Sequence, residues 1–221
     1  MLDRDAIRNG ATLDLVREGQ RLGLVDPVSG EEREASRRAA LAAAPGPDVW
    51  VFGYGSLMWN PAFHFAERRP GRVHGWHRRY CLWTPLGRGT PENPGLMLGL
   101  DRGGACRGVA FRIAPEQVEE ETAILWTREM PARSYAPRWL PVHTPSGTVH
   151  AIAFTVRREH PRYAGDIDTE TMARAIATAS GRLGSCAEYL RNTVAHMDEI
   201  GARDSAMHRL LARVEAICDC G

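Results

Sequence analysis

Between Val49 and Val156 lie six runs dense in aliphatic, aromatic and β-branched residues: "VWVF", "RVHGWHRRYCLW", "GLMLGLD", "CRGVAFRI", "RWLPVHT" and "TVHAIAFTV". They constrain the fold more than any other feature, because strands of this kind must pair with one another. "DRGG" at Asp101–Gly104 predicts a hairpin turn joining the third run to the fourth. Their alternation is imperfect, as expected of strands covered on both faces. Helical patterns flank the set. "EEREASRRAALAAA" at Glu31–Ala44 is a strong helix former that "PGPD", Pro45–Asp48, then stops. Residues 1–48 read as a helical arm and linker, and 49–221 as the main domain. After residue 166 three helices are expected. The first spans Thr169–Ala179, the second opens on a capping box of Ser185 with Glu188 and closes at Gly201, and the third is capped by Asp204.

The net charge is +1, from 28 basic and 27 acidic residues, which leaves no broad footprint for nucleic acid or an anionic membrane. Small-molecule chemistry is favoured. Every basic residue among the 28 is arginine, which excludes a pyridoxal-phosphate Schiff base, a phosphate-loop lysine and a kinase strand lysine. The five cysteines, Cys81, Cys106, Cys186, Cys218 and Cys220, show no paired spacing and read as reduced. The charged start "MLDRDAIRNG" lacks an apolar signal region, and no run reaches the ~18 apolar residues of a membrane span, so the cytoplasmic compartment is expected. Eight scattered histidines, His74 and His77 on opposite faces of one strand among them, offer no zinc spacing, and no metal or other cofactor is expected.

The first strand breaks into Gly53-Tyr54-Gly55-Ser56. A dinucleotide fingerprint and a nucleophile elbow would each need a glycine where Met58 stands. Ser56 is therefore a poor nucleophile. The glycines permit positive φ and close approach, so that successive N–H groups can converge on one oxygen as an oxyanion hole. Taken alone, such a tetrapeptide is more often a turn without a ligand.

Proton chemistry has a candidate in "APEQVEEETAILWTREMPARSY", Ala114–Tyr135. Pro115 suits a first helical position and Pro131 ends the segment. Val118, Thr122, Leu125 and Glu129 then share one helical face, which turns Glu129 inward in the last turn. Desolvation and the negative helix end both raise the pKa of such a carboxylate. Periodicity equally allows a surface glutamate paired with Arg128 or Arg133.

Together "VFGYGSLMWNP", "GWHRRYCLW", "GRGT", "LWTREM" and "ASGRLGSCAEYL" resemble, in this order, the ChaC family of γ-glutamylcyclotransferases, especially its bacterial members. The resemblance runs from about Val49 to the C-terminus. It implies an α+β fold, a small barrel of mixed strands with helices packed around it. It also implies cleavage of glutathione, the small-molecule partner, to 5-oxoproline and cysteinylglycine. By the same resemblance Val51, Phe52, Gly53, Tyr54, Gly55 and Ser56 are the substrate loop, Glu129 is the acid/base and Arg88 serves the substrate. Eukaryotic members carry Gly-Gly-Tyr after the glutamate; here Met130–Tyr135 reads "MPARSY", so Tyr135 does not match. Two other readings stay open, a cyclotransferase for other γ-glutamyl peptides or amines, and a non-catalytic γ-glutamyl-binding regulator of cation transport. Since every motif follows Pro45–Asp48, removing residues 1 to about 44 is expected to leave the chemistry intact.

Overall fold

The computed structural model describes residues 2–219, so Cys220 lies outside the described residues. The chain divides into two compact units, Leu2–Arg78 with Leu100–Arg157, and Arg79–Gly99 with the described part of Arg158–Gly221. The first holds helices α1 (Arg4–Arg8), α2 (Ala11–Arg21) and α3 (Gly30–Ala42), then strand β1 (Trp50–Gly53). The long strands β2 (Glu67–Thr84) and β3 (Gly95–Arg112) each continue from one unit into the other. Helix α4 (Val118–Glu129) and the hairpin of β4 (Tyr135–Thr144) with β5 (Gly147–Val156) complete the first unit.

The five strands close a barrel in the order β1-β3-β2-β4-β5. β1 is clamped between two neighbours, antiparallel to β3 from Trp50↔Arg112 to Gly53↔Val109 and parallel to β5 at Trp50↔Ala151 and Val51↔Ile152. That is why all four of its residues are buried, Val51 and Phe52 fully. Each such side chain contributes ~1.5–3 kcal/mol of burial, which anchors the loop that follows.

The expected hairpin at Asp101–Gly104 is overturned, because the third and fourth runs are one continuous strand, β3. Gly103 and Gly104 do take positive φ, 104° and 65°, yet they kink the strand where another chain would reverse. The His77 ring bonds to the Gly103 carbonyl at 3.0 Å and ties the kink to β2.

Pro115 opens a 3-10 turn, Pro115–Gln117, that leads into α4. Thr122, Leu125 and Trp126 are buried, and the Trp126 ring meets Phe154 of β5 edge-on at 5.3 Å. The N-terminal arm grips this helix along its length. At its start Arg4 pairs with Glu120 at 2.9 Å and with Glu121, while buried Arg37 reaches Glu119 at 2.7 Å and Thr122 at 3.0 Å. In its middle Trp126 Nε1 donates to Ser36 Oγ at 3.2 Å. Just past its end the Val28 amide donates to the Pro131 carbonyl at 3.0 Å, and Arg133 pairs with Asp26 and Glu32. α3 has its own capping box, Ser29 with Glu32. Burial raises the pKa of Glu121, but the Arg4 hydrogen bond and the His64 amide outweigh it and leave it below the usual value.

In the second unit α5 (Thr169–Thr178), α6 (Cys186–Glu199) and α7 (Ser205–Cys218) follow the sequence expectation closely. Strands β6 (Ser180–Gly181) and β7 (Gly184–Ser185) form a short hairpin between α5 and α6. Asp168, Ser185 and Asp204 cap the three helices. The capping box of α6 is half made: Ser185 Oγ accepts from the Glu188 amide at 3.1 Å, but the Glu188 carboxylate faces Arg88 at 3.4 Å. Among the described residues no helix is long and apolar enough to cross a membrane.

Candidate active site

β1 delivers the chain into the loop at Gly53, and a 3-10 turn, Ser56–Met58, closes with the Met58 amide on the Gly55 carbonyl at 2.8 Å. The opening amides of such a turn have no carbonyl within it to bond. Gly53 and Gly55 do not use the positive φ that the sequence permits: Gly55 sits at φ −138°, and Gly53 is absent from the left-handed residues. The freedom of Gly53 goes into close approach, since a Cβ there would lie 3.1 Å from Leu57 Cβ and 3.2 Å from Phe111 Cε2. Val51 to Gly55 are buried and Ser56 is half-buried.

Three side chains fix this loop. Tyr54 Oη donates to the Phe154 carbonyl at 2.7 Å, so one residue of β5 supports both the loop and Trp126 of α4. Arg78 of β2, 6 % exposed, donates through Nε to the Tyr54 carbonyl and through Nη2 to the Arg107 carbonyl at 2.6 Å. Arg128 of α4 donates through Nη2 to Ser56 Oγ at 2.9 Å and through Nη1 to the Asn60 carbonyl.

α4 ends on Glu129 itself, with Met130 as its C-cap. Glu129 keeps 17 % of its side-chain surface, and Arg128 Nε lies 3.0 Å from its Oε1. Loss of hydration pushes its carboxyl above the usual glutamate value; the adjacent Arg128 charge and hydrogen bond pull the other way without cancelling the rise. Glu129 is thus a largely desolvated carboxylate with a raised pKa, and of the surface-glutamate reading only the pair with Arg128 is present. Arg133 is engaged by the arm. The Tyr135 carbonyl accepts from Arg157 Nε at 3.0 Å.

The first unit therefore brings together the loop and, through Arg128, Glu129. Arg88 belongs to the second unit, where it is 12 % exposed. Its Nη1 donates to the Ser185 carbonyl at 2.7 Å, its guanidinium lies 5.2 Å from the Tyr189 ring centre, and its carbonyl accepts from Cys186 Sγ at 3.2 Å. Burial pushes the Cys186 thiol up to about 11, against the Leu96 backbone and the Arg88 charge, so it is no thiolate nucleophile. Among the described residues no three His, Cys, Asp or Glu side chains group in a way that could hold a metal ion.

Sequence reasoning missed Arg78, and for Arg128 it anticipated the pair with Glu129 but not the bonds to Ser56 and Asn60. The signal for Arg78 was a cation in alternation with Trp76 and Tyr80 in "GWHRRYCLW". For Arg128 it was a cation preceding the candidate acid, weighed only as a surface partner.

A family model described as ChaC-like protein matches residues 49–217. The chain is 44 % identical over 192 residues to the glutathione-specific gamma-glutamylcyclotransferase of Escherichia coli strain K12, covering 86 % of this chain and 83 % of that protein. That share exceeds what residues 49–221 can supply, so the likeness reaches into the arm. Glutathione-specific gamma-glutamylcyclotransferase 1 of Mus musculus is 32 % identical, with 78 % and 80 % covered. The crystal structure of a yeast γ-glutamyl cyclotransferase specific to glutathione matches with a TM-score of 0.70 at 23 % identity, over 76 % of this chain and 96 % of that one, a likeness of fold.

Proposed function

We propose a function from one fact of kinship: the chain belongs to the ChaC family of γ-glutamylcyclotransferases. It is a lyase that cleaves glutathione, and its products are 5-oxoproline and cysteinylglycine. The observation that supports the reading is Glu129, a largely desolvated carboxylate with a raised pKa, coupled through one guanidinium to the glycine-bearing loop.

The substrate carries its own nucleophile. Its α-amine attacks the γ-carbonyl carbon once the glutamyl chain is folded so that the two meet, and effective molarities for such intramolecular steps reach ~10⁵–10⁸ M. The new bond runs from the α-nitrogen to the γ-carbon, and the bond from that carbon to the cysteinyl nitrogen breaks. The α-ammonium gives one proton to Glu129 before attack and loses a second as the ring closes. The departing nitrogen, an amide N–H in the substrate, finishes as an ammonium with both, so no water is consumed. Glu129 takes the first proton as carboxylate and returns it to the leaving nitrogen, which suits a group whose pKa lies above the ordinary carboxylate range. The opening amides of the Ser56–Met58 turn supply donors for the γ-oxygen as it becomes an oxyanion.

Arg88 is held for a separate test. A guanidinium has five donors, and a substrate carboxylate would have to use those that Ser185 and Glu188 leave. Arg88→Gln is expected to raise KM for glutathione by roughly one to two decades; an altered Tm with unchanged KM would leave it a purely local anchor.

The reading is tested by incubating the protein separately with reduced glutathione, γ-glutamyl-cysteine and γ-glutamyl-alanine and quantifying 5-oxoproline by mass spectrometry. Fastest release from glutathione is expected. Equal or faster release from a dipeptide would move the substrate to other γ-glutamyl compounds. No release from any of the three would favour a binding module.

A further inference from the structure

We propose that Arg128 is the positioning residue of this site: its guanidinium locks the loop turn to the end of α4 and fixes which oxygen of Glu129 exchanges protons. The proposal rests on reading Glu129 as the acid/base.

Three nitrogens of one fork reach three parts of the site. Nη2 donates to Ser56 Oγ at 2.9 Å and Nη1 to the Asn60 carbonyl, while Nε forms an ion pair with Glu129 Oε1 at 3.0 Å. The first two bonds bracket the 3-10 turn and would by themselves serve a purely structural purpose. The third does not help to hold the turn. Consecutive residues on a helix do not ordinarily face each other, yet here, at the last turn of α4, Arg128 Nε and Glu129 Oε1 lie 3.0 Å apart. Burying a guanidinium to 8 % exposure is costly unless its donors are satisfied, and here its acceptors are the substrate loop and the proposed acid. With Oε1 engaged, proton exchange falls to Oε2.

The charge matters as well as the shape. Arg128 is the charged group that acts on Glu129 from within α4. Of the other cations nearby in the fold, Arg78 from β2 bonds to the Tyr54 and Arg107 carbonyls, and Arg133, following α4, bonds to Asp26 and Glu32. Removing the Arg128 cation leaves burial unopposed, so Glu129 would hold its proton to higher pH. The acid limb of kcat/KM should then move upward, which loss of loop order alone would not cause. Ser56→Ala separates the two effects, because it cuts one loop bond and spares the Nε–Oε1 contact.

The experiment measures kcat and KM for glutathione across pH in wild type, Arg128→Gln, Arg128→Lys and Ser56→Ala, with circular dichroism to confirm folding. Arg128→Gln is expected to lose at least about tenfold in kcat and to shift the acid limb up by about one pH unit or more, the reach of a neighbouring opposite charge. Arg128→Lys keeps the charge without the planar fork, so its limb should stay near wild type while kcat still falls. Ser56→Ala should keep the wild-type limb. A folded Arg128→Gln with wild-type kcat and limb overturns the proposal. Should that variant fail to fold, a folded Arg128→Lys with wild-type kcat overturns it, and one with reduced kcat and an unmoved limb supports it. If Glu129→Gln retains activity, the reading of Glu129 fails first; if Glu129→Gln is inactive while the Arg128 variants match wild type, only this proposal falls.

Discussion

The loop from Gly53 to Asn60 and the loop from Gly87 to Gly95 both carry family motifs, yet they are held by different means. In the first, arginines from β2 and α4 act beside the Tyr54–Phe154 bond, Arg78 on the Tyr54 carbonyl and Arg128 on Ser56 and Asn60. In the second, backbone and small side chains are packed against each other. A Cβ on Gly89 would lie 2.4 Å from the Gly95 nitrogen, one on Gly95 would lie 2.3 Å from Cys186 Sγ, and one on Gly181 would lie 2.4 Å from the Gly87 carbonyl oxygen. No flexible side-chain end stands there to yield except the thiol. Geometry held by charge answers to protons and to the loss of a cation, whereas geometry held by contact answers to volume. The loop coupled to the proposed acid is the one whose own carbonyls and hydroxyl accept from guanidinium groups of β2 and α4, whereas the second loop's arginine, Arg88, reaches outward to Ser185 and Glu188.

The harshest way to break this comparison is to remove the arm, which grips α4 and so one side of the first loop's restraints. Motif positions alone suggest that residues 1–44 are dispensable, but the ion pairs of Arg4 and Arg37 with α4 argue otherwise. Glu119 and Glu120 are exposed, but losing Arg4 would strip the buried Glu121 carboxylate of its cation, which costs about 3–5 kcal/mol. A truncated chain should therefore melt about 6–20 °C lower and lose more than about tenfold in turnover. A truncation with wild-type melting and turnover would return the arm to a passive role.

Smaller effects should separate the two loops directly. Gly95→Ala overpacks a contact with little room, and ~1–3 kcal/mol of destabilisation is expected, read as a drop in Tm larger than any change in turnover. Gly53→Ala, with contacts of 3.1 and 3.2 Å, should do the reverse and lose more in turnover than in Tm. If both variants lose mainly Tm, the loops are held alike.

The smallest effect concerns pH. The Glu129 pKa is raised above 4.5, so the native state keeps a proton that the unfolded chain has released. Its contribution to stability is complete below pH 4.5 and is lost as pH rises through the raised value. Glu129→Gln cannot titrate, so its Tm minus that of wild type should be lowest near pH 4 and grow by a few degrees toward neutrality. A difference independent of pH would mean that the carboxylate is not desolvated in the fold.

Much of this architecture was legible because local signals and tertiary structure agree. Pro115, Ser185 and Asp204 mark helix starts by chemistry that packing does not override. "DRGG" misled because paired glycines with positive φ serve a kinked strand as well as a hairpin, and only the partner strand decides between them. Glu129 was legible from periodicity, since Thr122 and Leu125 on its face are buried as the spacing requires. Arg128 was legible as a partner of Glu129, but its bonds to Ser56 and Asn60 were not, because they join residues distant in the chain. Arg78 was hidden by the ordinary expectation that a strand arginine faces water.

The central claim is that Glu129 moves the protons of a cyclisation whose nucleophile is the substrate's own amine. Its most direct test is 5-oxoproline release from glutathione by Glu129→Gln, quantified by mass spectrometry beside wild type, with matching circular dichroism spectra. The amide keeps the shape and can still accept from Arg128, but it cannot carry a proton, so turnover should fall by roughly 10² to 10⁴ in a protein that remains folded. A folded Glu129→Gln releasing 5-oxoproline at near the wild-type rate would contradict the account.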